Sequence, residues 1–134
     1  MATISKQRRD KWLKLVRALQ REVPIGRPVH VKTRTLKAHE GLSWYFTDRK
    51  EFLLTVGSHL TWQRRVEYLL HEYAHLHDWF TRYQRLMLMG EAIAEWVDKK
   101  RVQVEVNHDH GPTWGLSYAA CYQVWERLKD AGEI

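Results

Sequence analysis

The spacing of apolar residues along the chain predicts one helix, then three strands, then three further helices. Residues 6–22 place apolar side chains three or four positions apart, which is the period of an amphipathic helix. Three β-rich stretches follow: VHVKTRTL (29–36), GLSWYFT (41–47) and EFLLTVGS (51–58). Because residues 48–50 read DRK between the last two stretches, we expect those two to pair as a hairpin.

A helical period returns after Ser58 and continues toward the C-terminus. Thr61 is placed to cap a helix through WQRRVEYLLHEYAHLHDWFTRY (62–83). Two more helices are predicted, in EAIAEWVDKKRVQV (91–104) and SYAACYQVWERLKD (117–130), with Gly111 and Pro112 as breakers between them. This order predicts an α+β fold, with helices packed on one face of a small three-stranded sheet, antiparallel or mixed. Since no repeat or linker interrupts the pattern, residues 1–134 are expected to form a single domain.

Composition narrows the class of protein. The chain is 44% hydrophobic with seven Trp, which is typical of a folded domain. Its only cysteine, Cys121, excludes an internal disulfide and an all-thiolate zinc site. No segment approaches the roughly 20 apolar residues that span a bilayer, and the N-terminus lacks the pattern of a signal peptide. We therefore expect a cytoplasmic protein without a membrane partner.

The positive charge of the chain raises the question of a nucleic-acid partner. The formal net charge is +6, and the longest cluster of Lys and Arg lies in residues 6–21. Such a cluster can neutralise phosphates, so DNA association through a basic surface is one interpretation. A solvated basic surface without a particular partner is the other.

The stretch HEYAH, residues 71–75, carries the most specific chemistry. Positions four apart on a helix differ by only about 40°, so His71 and His75 point the same way and can hold one ion. Glu72 is offset by about 100° and can act on a water molecule without being a ligand. This is the HExxH arrangement, in which two imidazoles fix Zn²⁺ and the glutamate serves as general base.

Other side chains can complete this centre. Asp78 lies on the histidine side of the helix, where its carboxylate can accept the far ring N–H of a ligating imidazole. The third ligand has three candidates: His110 in NHDHGPTW, its neighbour His108, and Glu95 in the following predicted helix. The residues by themselves leave the three open.

HEYAH followed by HGPTW (110–114) and a closing helix resembles the SprT-like zinc metallopeptidases over about residues 40–130. The resemblance implies a zincin-like fold reduced to its catalytic core, without a zinc ribbon. It implies Zn²⁺ held by His71, His75 and His110, with Glu72 as general base. It also implies that EFLLTVGS is the edge strand above the cleft, and that substrates are peptides or DNA-associated proteins.

We therefore expect a zinc metalloendopeptidase. The oxyanion of its reaction needs a donor beyond the metal, and Tyr118, Tyr45 and His108 are the candidates. The alternative is a non-catalytic, zinc-stabilised module that binds nucleic acid or protein; there a fourth protein ligand such as His108 closes the coordination sphere. The same ligands would also serve a hydrolase of a non-peptide substrate.

Overall fold

The fold is α+β, as the order of elements predicts. A computed structural model describes residues 2–35, 41–46, 48–82, 101–103 and 112–134. Its elements in chain order are α1 (Ala2–Glu22), β1 (Val29–Arg34), β2 (Gly41–Phe46), β3 (Glu51–Gly57), α2 (Trp62–Arg82), β4 (Arg101–Gln103) and α3 (Pro112–Asp130). Within these ranges, no helix has the length and apolar character needed to cross a membrane.

The three predicted strands form a mixed sheet to which β4 adds a short fourth strand, in the order β1-β3-β2-β4. β2 and β3 form the predicted antiparallel hairpin, with Trp44 opposite Leu53. β1 runs parallel to β3, with Val31 opposite Leu54, and β4 runs antiparallel to β2. The hairpin prediction is confirmed, and the sheet belongs to the mixed class.

The expectation that EFLLTVGS forms an edge strand is wrong. β3 lies between β1 and β2 and pairs with both along its length. Its burial agrees with this position, because Phe52, Leu54 and Val56 are fully buried and Thr55 is nearly so. A strand with neighbours on both sides has no free main-chain groups for an added peptide.

Two helix predictions also need correction. Residues 101–103, assigned by their period to a helix, form strand β4. A three-residue apolar–polar alternation fits a strand as well as a helix, so periodicity alone did not separate the two. The last helix begins at Pro112 rather than at residue 117. Proline suits the first position of a helix, where its missing N–H has no intrahelical partner to lose.

Helix α2 connects the sheet to the other two helices within the described ranges. This helix contacts β2, β3 and α3. Its Tyr73 hydroxyl lies 2.8 Å from the carbonyl oxygen of Val23 and 3.2 Å from that of Leu19, at the end of α1. An ion pair between Arg127 and Glu22 joins α3 to the same end of α1. The start of α2 is capped as predicted, since the Arg64 N–H donates to Oγ1 of Thr61 at 3.4 Å.

Candidate metal centre

The helix α2 separates an apolar side from a histidine side. Leu69, Tyr73 and Leu76 are fully buried in the core, in agreement with the apolar stripe of the sequence. His71 is half-buried, and His75 is 5% exposed. The apolar face of α2 therefore packs into the core, and the two imidazoles lie on the side of the helix that meets the start of α3.

The two imidazoles converge at their Nε2 atoms. These atoms lie 3.1 Å apart, and the ring centroids lie 4.7 Å apart. Two nitrogens bound to one tetrahedral zinc at ~2.0–2.1 Å would lie ~3.3 Å from each other. The donor set of His71 and His75 therefore fits a shared Zn²⁺ with little movement of either ring.

Glu72 faces strand β2 and is 6% exposed. The hydroxyl of Ser43, which is also buried, donates to its Oε2 at 3.2 Å. Burial raises the pKa of the Glu72 carboxyl above its usual value, and the bond from Ser43 opposes part of that increase. A carboxylate with a raised pKa is a stronger base, which is the property that proton abstraction requires.

Trp114 is a site residue that sequence reasoning did not assign. Its ring centroid lies 5.2 Å from that of His71 and 5.3 Å from that of His75. On its other side, Trp114 stacks on Tyr118 with centroids 4.9 Å apart. The signal was present in HGPTW, because a helix that begins at Pro112 carries Trp114 in its first turn.

Asp78 is buried on the histidine side of α2, with 6% of its surface exposed. Its Oδ1 has no hydrogen-bond partner among the described residues. Burying a carboxylate oxygen without a hydrogen-bond donor costs free energy, so a buried aspartate in this environment is unusual. The predicted role as acceptor for a ligating imidazole stays a prediction.

His77 makes its own contact with α3. Its Nδ1 lies 2.7 Å from the Oγ of Ser117, a buried residue of α3.

Two of the three oxyanion candidates, Tyr45 and Tyr118, lie on described elements, and they differ in how far they are buried. Tyr45 is 1% exposed and packs against Phe52 and Trp79, so burial removes it from substrate and that candidate is withdrawn. Tyr118 is only partly buried and lines a groove next to His71.

The candidates for the third ligand, His110, His108 and Glu95, lie outside the described residues. Among the residues that the structure does describe, no group of three or more His, Cys, Asp or Glu side chains is close enough to share a metal ion. The described part of the centre is therefore a pair of converging imidazoles with a buried carboxylate beside it.

Comparison with known proteins adds no relative. No family model, curated protein or solved structure matches the chain. The resemblance to SprT-like metallopeptidases thus rests on the residues of HEYAH and HGPTW alone.

Proposed function

We propose that the protein is a zinc-dependent metallopeptidase. The observation that carries the proposal is the convergence of the His71 and His75 Nε2 atoms at 3.1 Å, with a buried glutamate between them in sequence. His71 and His75 would hold the Zn²⁺, and the resemblance assigns the third ligand to His110. Zinc, when bound, lowers the pKa of a water molecule and polarises a carbonyl.

The chain's own residues supply the remaining chemistry. Glu72 accepts a proton from the attacking water and returns it to the leaving amine, because its carboxylate has a raised pKa and lies next to His71. Ser43 holds one oxygen of that carboxylate from β2, which fixes the orientation of the base. Tyr118 would donate to the developing oxyanion, and its position in the lining of the groove that His71 borders supports this role.

One observation favours a second candidate, a structural zinc module without catalysis. His75 is buried, and the Trp114 ring contacts both imidazoles, so part of the space around the pair is filled. A structural zinc site is closed by four protein ligands, whereas a catalytic site keeps one position for water. The two functions therefore differ in the number of protein ligands and in activity.

The test is the zinc content of purified variants. His71→Ala and His75→Ala should each lose most of the zinc, while His77→Ala, the matched change on the same helix, should retain it because its ring bonds Ser117. Of His110→Ala, His108→Ala and Glu95→Ala, we expect only the first to lose zinc to the same extent. Full zinc in His75→Ala would contradict the assigned centre. Zinc loss in both His108→Ala and His110→Ala would favour the structural module.

The basic face of α1 supports a DNA-associated substrate. Residues 6–11 are all exposed and carry four cations, Lys6, Arg8, Arg9 and Lys11, against one acid, Asp10. Further along the helix, Lys14, Arg17 and Arg21 are also exposed. Because residues 6–11 are exposed, their cations can reach a phosphate backbone without rearrangement. We propose that this face binds DNA and brings proteins bound on it to the centre.

A salt titration with labelled single- and double-stranded DNA tests this part. If the face neutralises Z phosphates, the logarithm of the affinity falls with the logarithm of salt with a slope of about −0.9Z on duplex DNA. The triple variant Lys6→Ala, Arg8→Ala, Arg9→Ala should bind more weakly with a shallower slope. The control changes Lys32 and Arg34, two exposed cations on β1, to alanine. Equal affinity in all three proteins, or no salt-sensitive binding, would contradict the assignment.

A further inference from the structure

A groove of about 530 Å³ lies between α2 and α3 and begins at His71. On the α2 side it is bordered by Arg64, Glu67 and Tyr68 before it reaches His71. Its volume falls in the range of roughly 300–1,000 Å³ that is typical of ligand pockets. Because one end is the candidate ligand His71, a molecule in the groove would approach the metal centre directly.

The α3 side of the groove is a row of aromatic rings. The centroids of Trp114 and Tyr118 lie 4.9 Å apart, those of Tyr118 and Tyr122 lie 6.1 Å apart, and those of Tyr122 and Trp125 lie 5.4 Å apart. Residues three or four positions apart share one face of a helix, so the row follows the axis of α3. Tyr122 is 40% exposed, so the row is not simply core. Partly exposed apolar surface of this kind marks a binding site more often than isolated apolar residues do.

The charges beside the row are balanced within the protein. Arg64 lies 3.9 Å from Glu67, and its guanidinium stands over the Tyr68 ring at 5.5 Å. Lys129 lies 3.1 Å from Glu126 and stands over the Trp125 ring at 4.4 Å. Because each cation is paired with a carboxylate, the rim offers a charged occupant no net attraction to offset the loss of its hydration. A neutral occupant loses no ionic hydration in the groove.

We propose that this groove is a specificity subsite that takes a neutral aromatic side chain of the substrate peptide. The proposal rests on the proposed peptidase function. Continuity with His71 places the side chain next to the scissile bond, and the row of rings offers edge and face contacts that aromatic pairs prefer. The balanced rim also argues against a phosphodiester chain, which would need unpaired cations.

The experiment uses four peptides that differ at one position beside the cleavage site, which carries Phe, Ala, Lys or Glu. Cleavage by the wild-type protein gives kcat/KM, and anisotropy with the Glu72→Gln protein gives binding without turnover. We expect the Phe peptide to exceed the Ala peptide by about 10- to 100-fold in both, since hydrophobic pockets discriminate on that scale. The Lys and Glu peptides should give kcat/KM values and affinities equal to those of the Ala peptide or lower.

Tyr122→Ala tests the groove itself. This exposed side chain can be removed without opening the core, and we expect the preference for Phe over Ala to shrink by about tenfold, mainly through KM. Leu116→Ala is the matched control, because Leu116 is 63% exposed on the same helix and does not line the groove. An unchanged preference in Tyr122→Ala, or a wild-type preference for Lys or Glu, overturns the subsite.

Cleavage and binding of the same four peptides distinguish a failure of the subsite from a failure of the peptidase function. Cleavage of all four peptides at equal rates overturns the subsite and leaves the peptidase intact. Selective binding of the Phe peptide without cleavage overturns the peptidase and supports the groove as a binding site. Displacement of the Phe peptide by a single-stranded oligonucleotide overturns the subsite in favour of base stacking on the rings.

Discussion

The bond from Ser43 to Glu72 is the contact through which the sheet acts on the candidate base. Glu72 is buried, and burial raises its pKa, while the Ser43 hydroxyl lowers it by stabilising the charged form. A general base works only when deprotonated, so kcat/KM rises as pH passes through its pKa from below. The position of this acidic limb therefore responds to the environment of Glu72.

Ser43→Ala should move the acidic limb of the kcat/KM profile to higher pH. Without the hydroxyl, desolvation of Glu72 is less opposed, so its pKa rises further. We also expect a loss of about 1–3 kcal/mol in the free energy of unfolding above the limb, since a buried acceptor loses its donor. Ser117→Ala removes another buried hydroxyl, bonded to His77, and should cost stability without moving the limb. Identical profiles for the two variants would contradict the assigned role of Ser43.

The buried thiol of Cys121 predicts how the free energy of unfolding changes at alkaline pH. Burial raises the pKa of its thiol from 9.0 to about 12, and the pKa of Tyr73 is raised in the same direction. A group whose pKa is higher in the folded state contributes its stability fully below the unfolded pKa and loses it as pH rises toward the folded value. The free energy of unfolding should therefore decline between about pH 9 and 12, and less steeply in Cys121→Ala. Urea unfolding from pH 8 to 10.5 measures this decline. An equally steep decline in the wild type and in Cys121→Ala would contradict the prediction.

At the residue scale, the sequence predicted the pair but not its surroundings. His71 and His75 are four apart on a long amphipathic helix, and helix geometry alone brings them together. The contact between Glu72 and Ser43 depends on which strand lies under α2, and strand order is set by nonlocal pairing. Trp114 was missed for a similar reason, because its contact with the imidazoles follows from the packing of α3 on α2.

At the scale of elements, α2 acts as the centre of the fold because it touches the sheet, α1 and α3. Its Tyr73 hydroxyl reaches the carbonyls of Leu19 and Val23, which belong to the end of α1 and the residue after it. A hydroxyl donates one proton, so the two contacts share it, and the shorter one at 2.8 Å to Val23 is the stronger. This contact fixes the end of α1 against the helix that carries the histidines.

Tyr73→Phe should lower the free energy of unfolding by about 1–2 kcal/mol, because it keeps the ring and removes the donor to two buried carbonyls. Urea unfolding measures this change, and the m-value should stay the same because the buried surface does not change. Tyr122→Phe, an exposed tyrosine of α3, is the matched control and should shift stability by much less. Equal effects of the two substitutions would contradict the role of Tyr73 in docking α1.

The strands show where sequence patterns reach their limit. The hairpin of β2 and β3 follows from two β-rich runs with a short polar connection, and such local pairing is predictable. The parallel pairing of β1 with β3 places β3 inside the sheet, and this strand order is set by nonlocal pairing, although the apolar run FLLTV is consistent with a buried strand. The near-continuous burial of Phe52 to Gly57 is a consequence of that topology.

At the scale of the whole molecule, the proposed metal centre would link zinc binding to folding. A ligand that binds only the folded state stabilises it by about 2.7 kcal/mol at 100 times its Kd. The Trp114 ring already connects α3 to His71 and His75 of α2, and zinc held by His71, His75 and the proposed third ligand His110 would link segments far apart in the sequence. The stability of the whole domain should therefore depend on zinc concentration.

Thermal unfolding of metal-free protein tests this linkage. Zinc at 100 times its Kd should raise the melting temperature of the wild type on the order of 10 °C. His75→Ala should lose most of that increase, and His77→Ala should keep it, since His77 bonds Ser117 rather than facing His71. An equal increase in His75→Ala would show that zinc binds elsewhere on the chain.

The central claim is that one buried carboxylate performs proton transfer beside a zinc centre, and Glu72→Gln tests it most directly. The substitution keeps the size of the side chain and removes the base, so the protein should bind as much zinc as the wild type. Peptide cleavage should fall by at least about 100-fold, the usual contribution of a general base. Cleavage by Glu72→Gln at the wild-type rate, with zinc bound, would contradict the account.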